Sequence, residues 1–321
     1  MRTLEKLQTL VILLSISLGL LLGQLHIIEQ YADYFIIPFL FVMLYGLFLT
    51  IPLKPLKKAF LNYKFLSTST IINFIWTPLL AWGLGFLFLS EHPALWMGFI
   101  MLMVTPCTDW YLIFTGVAKG NVPLSTALLP VNVILQVLLL PVYLLIFAGT
   151  VETVELSTVL ESVILVLVAP FALALLSRYV LKKKESFLKN KWTPFFGSGQ
   201  VFFLALAIMA MFASQGSYLL ENLNVLYILL IPVLLYFVIN YVLARLIGRF
   251  LKFSYENTAS LTLTIIARNS PVALAIAVTA FPDQPLIALA LVIGPLIELP
   301  VLAIISGLLL FTRKNQKATS I

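Results

Sequence analysis

The sequence predicts an all-α integral membrane protein with ten transmembrane helices, and three observations carry that fold class. Of the 321 residues, 61% are hydrophobic and only 10% charged, with a mean hydropathy of +1.07, which excludes an ordinary soluble domain. Apolar runs of about 20 residues, long enough to cross a bilayer, recur along the whole chain. The basic residues fall almost entirely in alternate loops between those runs.

The first run, 8–25, follows Arg2 and Lys6 with no small-residue cleavage site, so it reads as a span rather than a signal peptide. Runs at 35–53 and 66–89 follow, separated by Lys54, Lys57, Lys58 and Lys64. The fourth, 94–118, and the fifth, 122–148, are joined by a short turn containing Lys119. The sixth, 157–180, and the seventh, 194–215, flank a basic loop with Lys182, Lys183, Lys184, Lys189 and Lys191. The eighth covers 224–250, the ninth 257–281 and the tenth 286–312, ahead of a short polar tail.

With the N-terminus in the cytoplasm, the cytoplasmic loops and span ends hold every Lys and Arg except Arg268. The opposite loops carry Glu29, Asp33, Glu91, Glu152, Glu155, Glu221 and Asp283 and no basic residue. This asymmetry predicts a multi-pass protein of the cell (plasma) membrane with both termini cytoplasmic. The net charge of +7 is then an orientation signal, and no nucleic-acid partner is expected. One cysteine excludes an intrachain disulfide and any cysteine-cluster zinc site. There is no Gly-rich phosphate loop and no Ser/His/Asp set, so neither an enzyme nor a cofactor is expected.

Two runs are interrupted. Thr105-Pro106-Cys107-Thr108-Asp109 lies inside the fourth, and Arg268-Asn269-Ser270-Pro271 inside the ninth. Proline removes a backbone donor and clashes with the preceding turn. In lipid, a broken helix survives only where protein or a water-filled cavity surrounds it. A Thr directly before a Pro reads as N-cap and first helical residue, which predicts a half-helix starting at Pro106 with Cys107 and Asp109 in its first turn. An offset of 165 residues carries Thr105-Pro106 onto Ser270-Pro271 and Pro130 onto Pro295. That offset equals five spans, and an odd number inserts the two halves in opposite senses. The expectation is one transporter domain over 1–321, with inverted five-plus-five repeat halves of about 1–150 and 151–321 and a site at the broken helices.

Arg268 is costly in mid-membrane, about 3 kcal/mol on insertion scales, so it must face a cavity or a partner. It reads either as part of a substrate site with Asn269 and Ser270, or as an ion-pair partner of Asp109 or Glu298. Glu298, between Pro295 and Pro300 in the tenth run, is a proton carrier or a carboxyl bonded to freed backbone. Cys107 and Thr108 sit at the first break. Asn132, Gln136 and Asn240 are weaker candidates, since single amides in spans often only bond neighbouring helices.

At these residues the chain resembles the bile acid/arsenite/riboflavin transporter superfamily, and within it the arsenite efflux permeases. Val104-Thr105-Pro106-Cys107-Thr108 is similar to the family's Pro-Cys-Thr motif, whose cysteine is implicated in recognising trivalent arsenic. Lys119-Gly120-Asn121-Val122-Pro123-Leu124-Ser125 resembles the superfamily's turn between spans four and five. Gly294 to Pro300 resembles the permeases' Gly-x-x-x-Glu-Val-Pro segment, with Glu298 at the Glu. The resemblance implies ten spans in panel and core domains, with crossing, unwound helices 4 and 9. The chain departs from the permeases at Ala273, where they carry a Glu, and Asp109 is the candidate replacement. It departs from the sodium-coupled branch at Thr264 and Arg268, where that branch places sodium ligands, which points to protons instead.

These readings converge on a secondary transporter, foremost an exporter of arsenite or antimonite coupled to protons. Cys107 would recognise the metalloid beside Thr108, Glu298 and Asp109 would handle the proton, and Arg268 with Asn269 would gate or balance charge. A second reading keeps the fold and gives Arg268 and the half-helix N-termini a small organic anion. A passive channel is the third. The expected partners are a small-molecule or metalloid substrate, protons and the lipid bilayer.

Overall fold

A computed structural model of the chain describes residues 8–51, 62–108, 110–148, 156–221 and 223–318. The described residues are helical apart from short connections, and their one extended pairing is an isolated antiparallel bridge between Pro106 and Arg268.

Among the described residues seven helices are long and apolar enough to cross a membrane: His26–Thr50, Tyr63–Leu89, Val122–Phe147, Glu161–Val180, Leu188–Gly216, Tyr227–Phe250 and Pro285–Arg313. Shorter apolar helices cover Leu10–Leu22, Pro93–Met103 and Ser270–Ala280. Large apolar side chains such as Leu79, Phe86, Leu87, Ile164, Leu176 and Ile304 point outward on these helices. Such a surface is stable against lipid and not against water, so this is a multi-pass membrane protein.

Three of the long helices contain a π turn, and each has the same cause. The turns Ile72–Trp76, Ile164–Val168 and Leu188–Trp192 end two residues before Pro78, Pro170 and Pro194. A proline offers no N–H and crowds the carbonyl four residues back, so the helix widens by one residue ahead of it. Pro78 thereby leaves the Phe74 carbonyl without its helical donor, and the Tyr143 hydroxyl donates to it at 2.5 Å.

The chain divides into two compact units, each assembled from separate stretches. One comprises Met1–Ile51, Glu152–Tyr227 and Pro271–Val292. Its helix Thr193–Glu221 packs along both Gln8–Leu22 and His26–Thr50. Glycine makes that approach possible: a Cβ at Gly19 would lie 2.5 Å from the Met209 carbonyl oxygen, and one at Gly46 2.7 Å from that of Phe196. Small residues let helix backbones close up where lipid gives no hydrophobic drive. The Arg178 guanidinium donates to the carbonyls of Leu49 at 2.6 Å and Ile51 at 2.5 Å, closing the C-terminal end of His26–Thr50. Tyr45 joins this end as well, donating to Ser177 at 2.9 Å and accepting from the Trp192 indole at 2.8 Å.

The second unit comprises Pro52–Val151, Ile228–Ser270 and Ile293–Ile321. It contains the first interruption, the connection of the second, and Glu298, and the candidate site is built within it.

Candidate functional site

The fourth apolar run forms two helices, Pro93–Met103 and Trp110–Val117, and the ninth forms Tyr255–Ile266 and Ser270–Ala280. The first break differs from the sequence expectation. No helix starts at Pro106, because Pro106 and Cys107 are extended and paired across to the other break, and the next described helix is Trp110–Val117. Cys107 is therefore in the crossing rather than in a first helical turn. Ser270-Pro271 does open a helix, with Ser270 its first residue. The two hydroxyl–proline pairs thus do different jobs. Asp109 lies outside the described residues.

Two backbone bonds make the crossing. Cys107 N–H donates to the Ala267 carbonyl at 3.1 Å, and Asn269 N–H donates to the Thr105 carbonyl at 2.7 Å. Asn269 adds a side-chain bond, its Nδ2 donating to Thr108 Oγ1 at 3.3 Å. Thr105, Cys107, Thr108, Arg268, Asn269 and Ser270 are all buried.

Breaking a helix leaves carbonyls at its C-terminal end without donors, and in a membrane interior each must be satisfied by protein. At the first break the Thr105 hydroxyl covers the carbonyls of Met101 and Leu102, both at 3.0 Å. The Met103 carbonyl accepts from Arg268 Nη1 at 2.9 Å. At the second break Arg268 Nε donates to Ile266 at 3.3 Å, and Nη2 donates to Ile265 and, at 3.1 Å, to Asn73 Oδ1. The Ile265 carbonyl also accepts from the Tyr236 hydroxyl at 3.2 Å, and the guanidinium lies 5.3 Å from the centre of the Tyr236 ring. One buried cation thus answers the negative ends of two half-helix dipoles. Among the described residues the guanidinium bonds oxygens and faces a ring, and Glu298, one of the two carboxylates considered as its ion-pair partner, bonds the Arg268 backbone N–H instead.

Glu298 is buried in Pro285–Ala318, and its Oε1 accepts the backbone N–H of Arg268 at 2.9 Å. It thereby touches the extended connection between the ninth-run helices. Behind it, Gly294 lets Leu102 approach, since a Cβ there would lie 2.8 Å from Leu102 Cδ1.

The turn Lys119-Gly120-Asn121 locks the two broken runs together away from the crossing. Asn121 N–H donates to the Glu256 carbonyl at 3.1 Å and to Ser260 Oγ at 2.8 Å, and its Nδ2 donates to Asn257 Oδ1 at 3.0 Å. The Tyr255 hydroxyl returns a bond to the Ala118 carbonyl at 2.9 Å. Lys119 takes a left-handed φ of 54°, which ends the preceding helix.

Asn73 and Tyr236, neither singled out from the sequence, are structural neighbours of Arg268. Asn73 carried one available signal: an amide in an apolar run five residues before a proline. Asn132 and Gln136, four residues apart on one helix, are buried, and both amide atoms of Asn132 and Oε1 of Gln136 have no partner among the described residues. Asn240, by contrast, is satisfied, accepting from the Trp76 indole at 3.2 Å and donating to the Tyr236 carbonyl at 3.0 Å. Among the described residues no three His, Cys, Asp or Glu side chains come together as a metal site.

The chain is similar in sequence to known membrane proteins. An arsenical-resistance protein Acr3 of Corynebacterium glutamicum is 25% identical over 276 residues, covering 82% of this chain and 74% of the relative. An uncharacterized transporter of Synechocystis is 27% identical over 98% of this chain and 92% of its own length. An uncharacterized protein of Bacillus subtilis is 27% identical, over 92% of this chain and 94% of its own. The model of the sodium bile acid symporter family matches residues 37–222, more than half of the chain. Its apolar helices, its two interrupted runs and this match have one reading: the chain belongs to the sodium bile acid symporter family of membrane transporters.

Proposed function

We propose that this transporter exports arsenite or antimonite from the cell in exchange for protons. The observation that carries the reading is the position of Cys107, the single cysteine, in the crossing of two broken helices, next in sequence to the Pro106 that pairs with Arg268. Trivalent arsenic bonds to thiolate sulfur, and Cys107 is the one cysteine in the sequence. Arsenite at neutral pH is an uncharged trihydroxide, so a reversible site needs one sulfur and hydrogen-bonding groups rather than a charged clamp. Thr108, Asn269 and Ser270 supply such groups at the crossing. Two relatives bear the name of an arsenical-resistance protein, which supports the same substrate.

Glu298 is the proposed proton carrier, with Asp109 as a second carboxylate. The support is the contact between Glu298 and the Arg268 N–H: a carboxylate bonded to the crossing can couple its protonation to the crossing's geometry. Arg268 is assigned to hold the break and balance charge. Four of its five N–H groups have acceptors within the protein, which leaves little for an organic anion. That favours the metalloid over the carboxylate reading.

Counting each interrupted pair as one crossing gives ten spans, in line with inverted halves of about 1–150 and 151–321 in one transporter domain. The charge bias supports cytoplasmic termini, and we take the membrane to be the plasma membrane. The test is arsenite uptake into everted vesicles, with and without an imposed proton gradient, for wild type and Cys107→Ser. Gradient-driven uptake lost in the variant is expected. Absence of uptake by folded wild type under an intact gradient would sink the metalloid reading.

A further inference from the structure

We propose that Arg268 is a tethered cation occupying an alkali-cation site, so that this transporter needs no dissolved sodium or potassium ion to hold its crossing together. The argument starts from the oxygens. The carbonyls of Met103, Ile265 and Ile266 and the side-chain oxygen of Asn73 all accept from one buried guanidinium, and they come from two half-helix C-termini and the π turn of a third helix. Carbonyls freed by unwinding, together with an amide oxygen, are the ligands by which broken membrane helices hold a monovalent cation. Three of these oxygens belong to the backbone and persist whatever side chains surround them.

In this chain the positive charge at their centre is covalent. The guanidinium meets the oxygens at 2.9, 3.1 and 3.3 Å and through the further contact to Ile265, with the Tyr236 ring beside it. It is 2% exposed, so these oxygens are met by the guanidinium away from bulk water. A dissolved ion contributes stability that depends on its concentration, whereas a tethered one contributes at any ionic composition. The arrangement fixes the resting crossing independently of external salt and leaves protonation as the variable at this point. The inference concerns the crossing itself and stands whatever the substrate.

The test is thermal unfolding of the purified full chain in choline, sodium, potassium and lithium chloride at equal ionic strength, for wild type, Arg268→Lys and Arg268→Gln. Wild type and the Lys variant are expected to unfold at the same temperature in all four salts. The Gln variant loses the charge and adds an oxygen. It is expected to be destabilised in choline and to recover in a saturable way with one alkali cation, by on the order of 5 °C at saturation. A saturable sodium or potassium effect on wild type would overturn the proposal. So would a Gln variant that folds and ignores every cation, or one that stays unfolded in all four salts, since a free ion would then have failed to replace the guanidinium.

Discussion

Glu298 accepts a hydrogen bond at 2.9 Å from the backbone N–H of Arg268, not from its guanidinium. The distinction matters for mechanism. The guanidinium is committed to the carbonyls that the two breaks release, so the carboxyl is bonded to the extended connection itself. An N–H in an unwound segment inside a membrane needs an acceptor, and Glu298 supplies it. A change in the carboxyl therefore acts on the backbone between the ninth-run helices before it acts on any side chain.

Glu298→Gln keeps an oxygen in place and removes the proton site. It should stay within about 1 kcal/mol of wild-type stability while proton-driven uptake falls at least roughly tenfold. Glu298→Ala leaves the Arg268 N–H without an acceptor and should cost about 1–3 kcal/mol. Thermal unfolding and vesicle uptake, measured on the same preparations, separate the two effects. A Gln variant with full gradient-driven uptake would remove Glu298 from the coupling.

Tyr143 and Pro78 form a second linked pair, since the hydroxyl meets the carbonyl that the proline orphans. Tyr143→Phe should destabilise the protein by about 1–2 kcal/mol. In a Pro78→Ala background, position 78 regains an N–H, and the same change should cost much less. The coupling energy of this double-mutant cycle, read by thermal unfolding, is the relevant quantity. Strict additivity would mean that the hydroxyl is not standing in for the helical donor.

Much of this was legible in the sequence because membranes impose simple rules. Apolar runs marked the helices, and Pro106 and Pro271 marked the two interruptions. Arg268 was conspicuous because a lone cation in an apolar run demands a partner. Its partners were not legible, since backbone carbonyls have no sequence signature and Asn73 lies nearly 200 positions away in the chain. The start of the second half-helix was misplaced for a related reason. A Thr-Pro pair has the local chemistry of a helix start, but the bonds from Cys107 to Ala267 and from Asn269 to Thr105 hold it extended. Those long-range bonds override a local preference. The turn at Gly120 was recognised as a motif, while its role in joining the two broken runs required the contacts.

Gly120→Ala tests that turn. The added Cβ would lie 2.8 Å from Thr115 Cγ2, 3.1 Å from Ser260 Oγ and 3.3 Å from the Glu256 carbonyl oxygen. A loss of about 1–3 kcal/mol is expected, because the backbone neighbour cannot rotate away. Gly83→Ala is the control: it lies in a helix with nothing within 4 Å of an added Cβ, so it should be neutral or stabilising by about 0.5–1 kcal/mol. Equal thermal midpoints for the two variants would show that the turn tolerates a methyl group and does not clamp the helices.

Asn73 offers the sharpest test of how Arg268 is held. Its Oδ1 accepts from the guanidinium at 3.1 Å, while its Nδ2 has no partner among the described residues. Only the oxygen therefore contributes. Asn73→Leu removes it from a site with no water access and leaves a charged N–H unpaired, which should cost about 1.5–3 kcal/mol. Asn73→Asp keeps an oxygen toward Arg268 and discards the unsatisfied N–H, so it should match or exceed wild-type stability. If the crossing must loosen during transport, the stronger acceptor should also slow turnover, seen as a lower maximal uptake rate with unchanged substrate affinity. An Asp variant less stable than the Leu variant would show that the oxygen at position 73 does not hold the guanidinium.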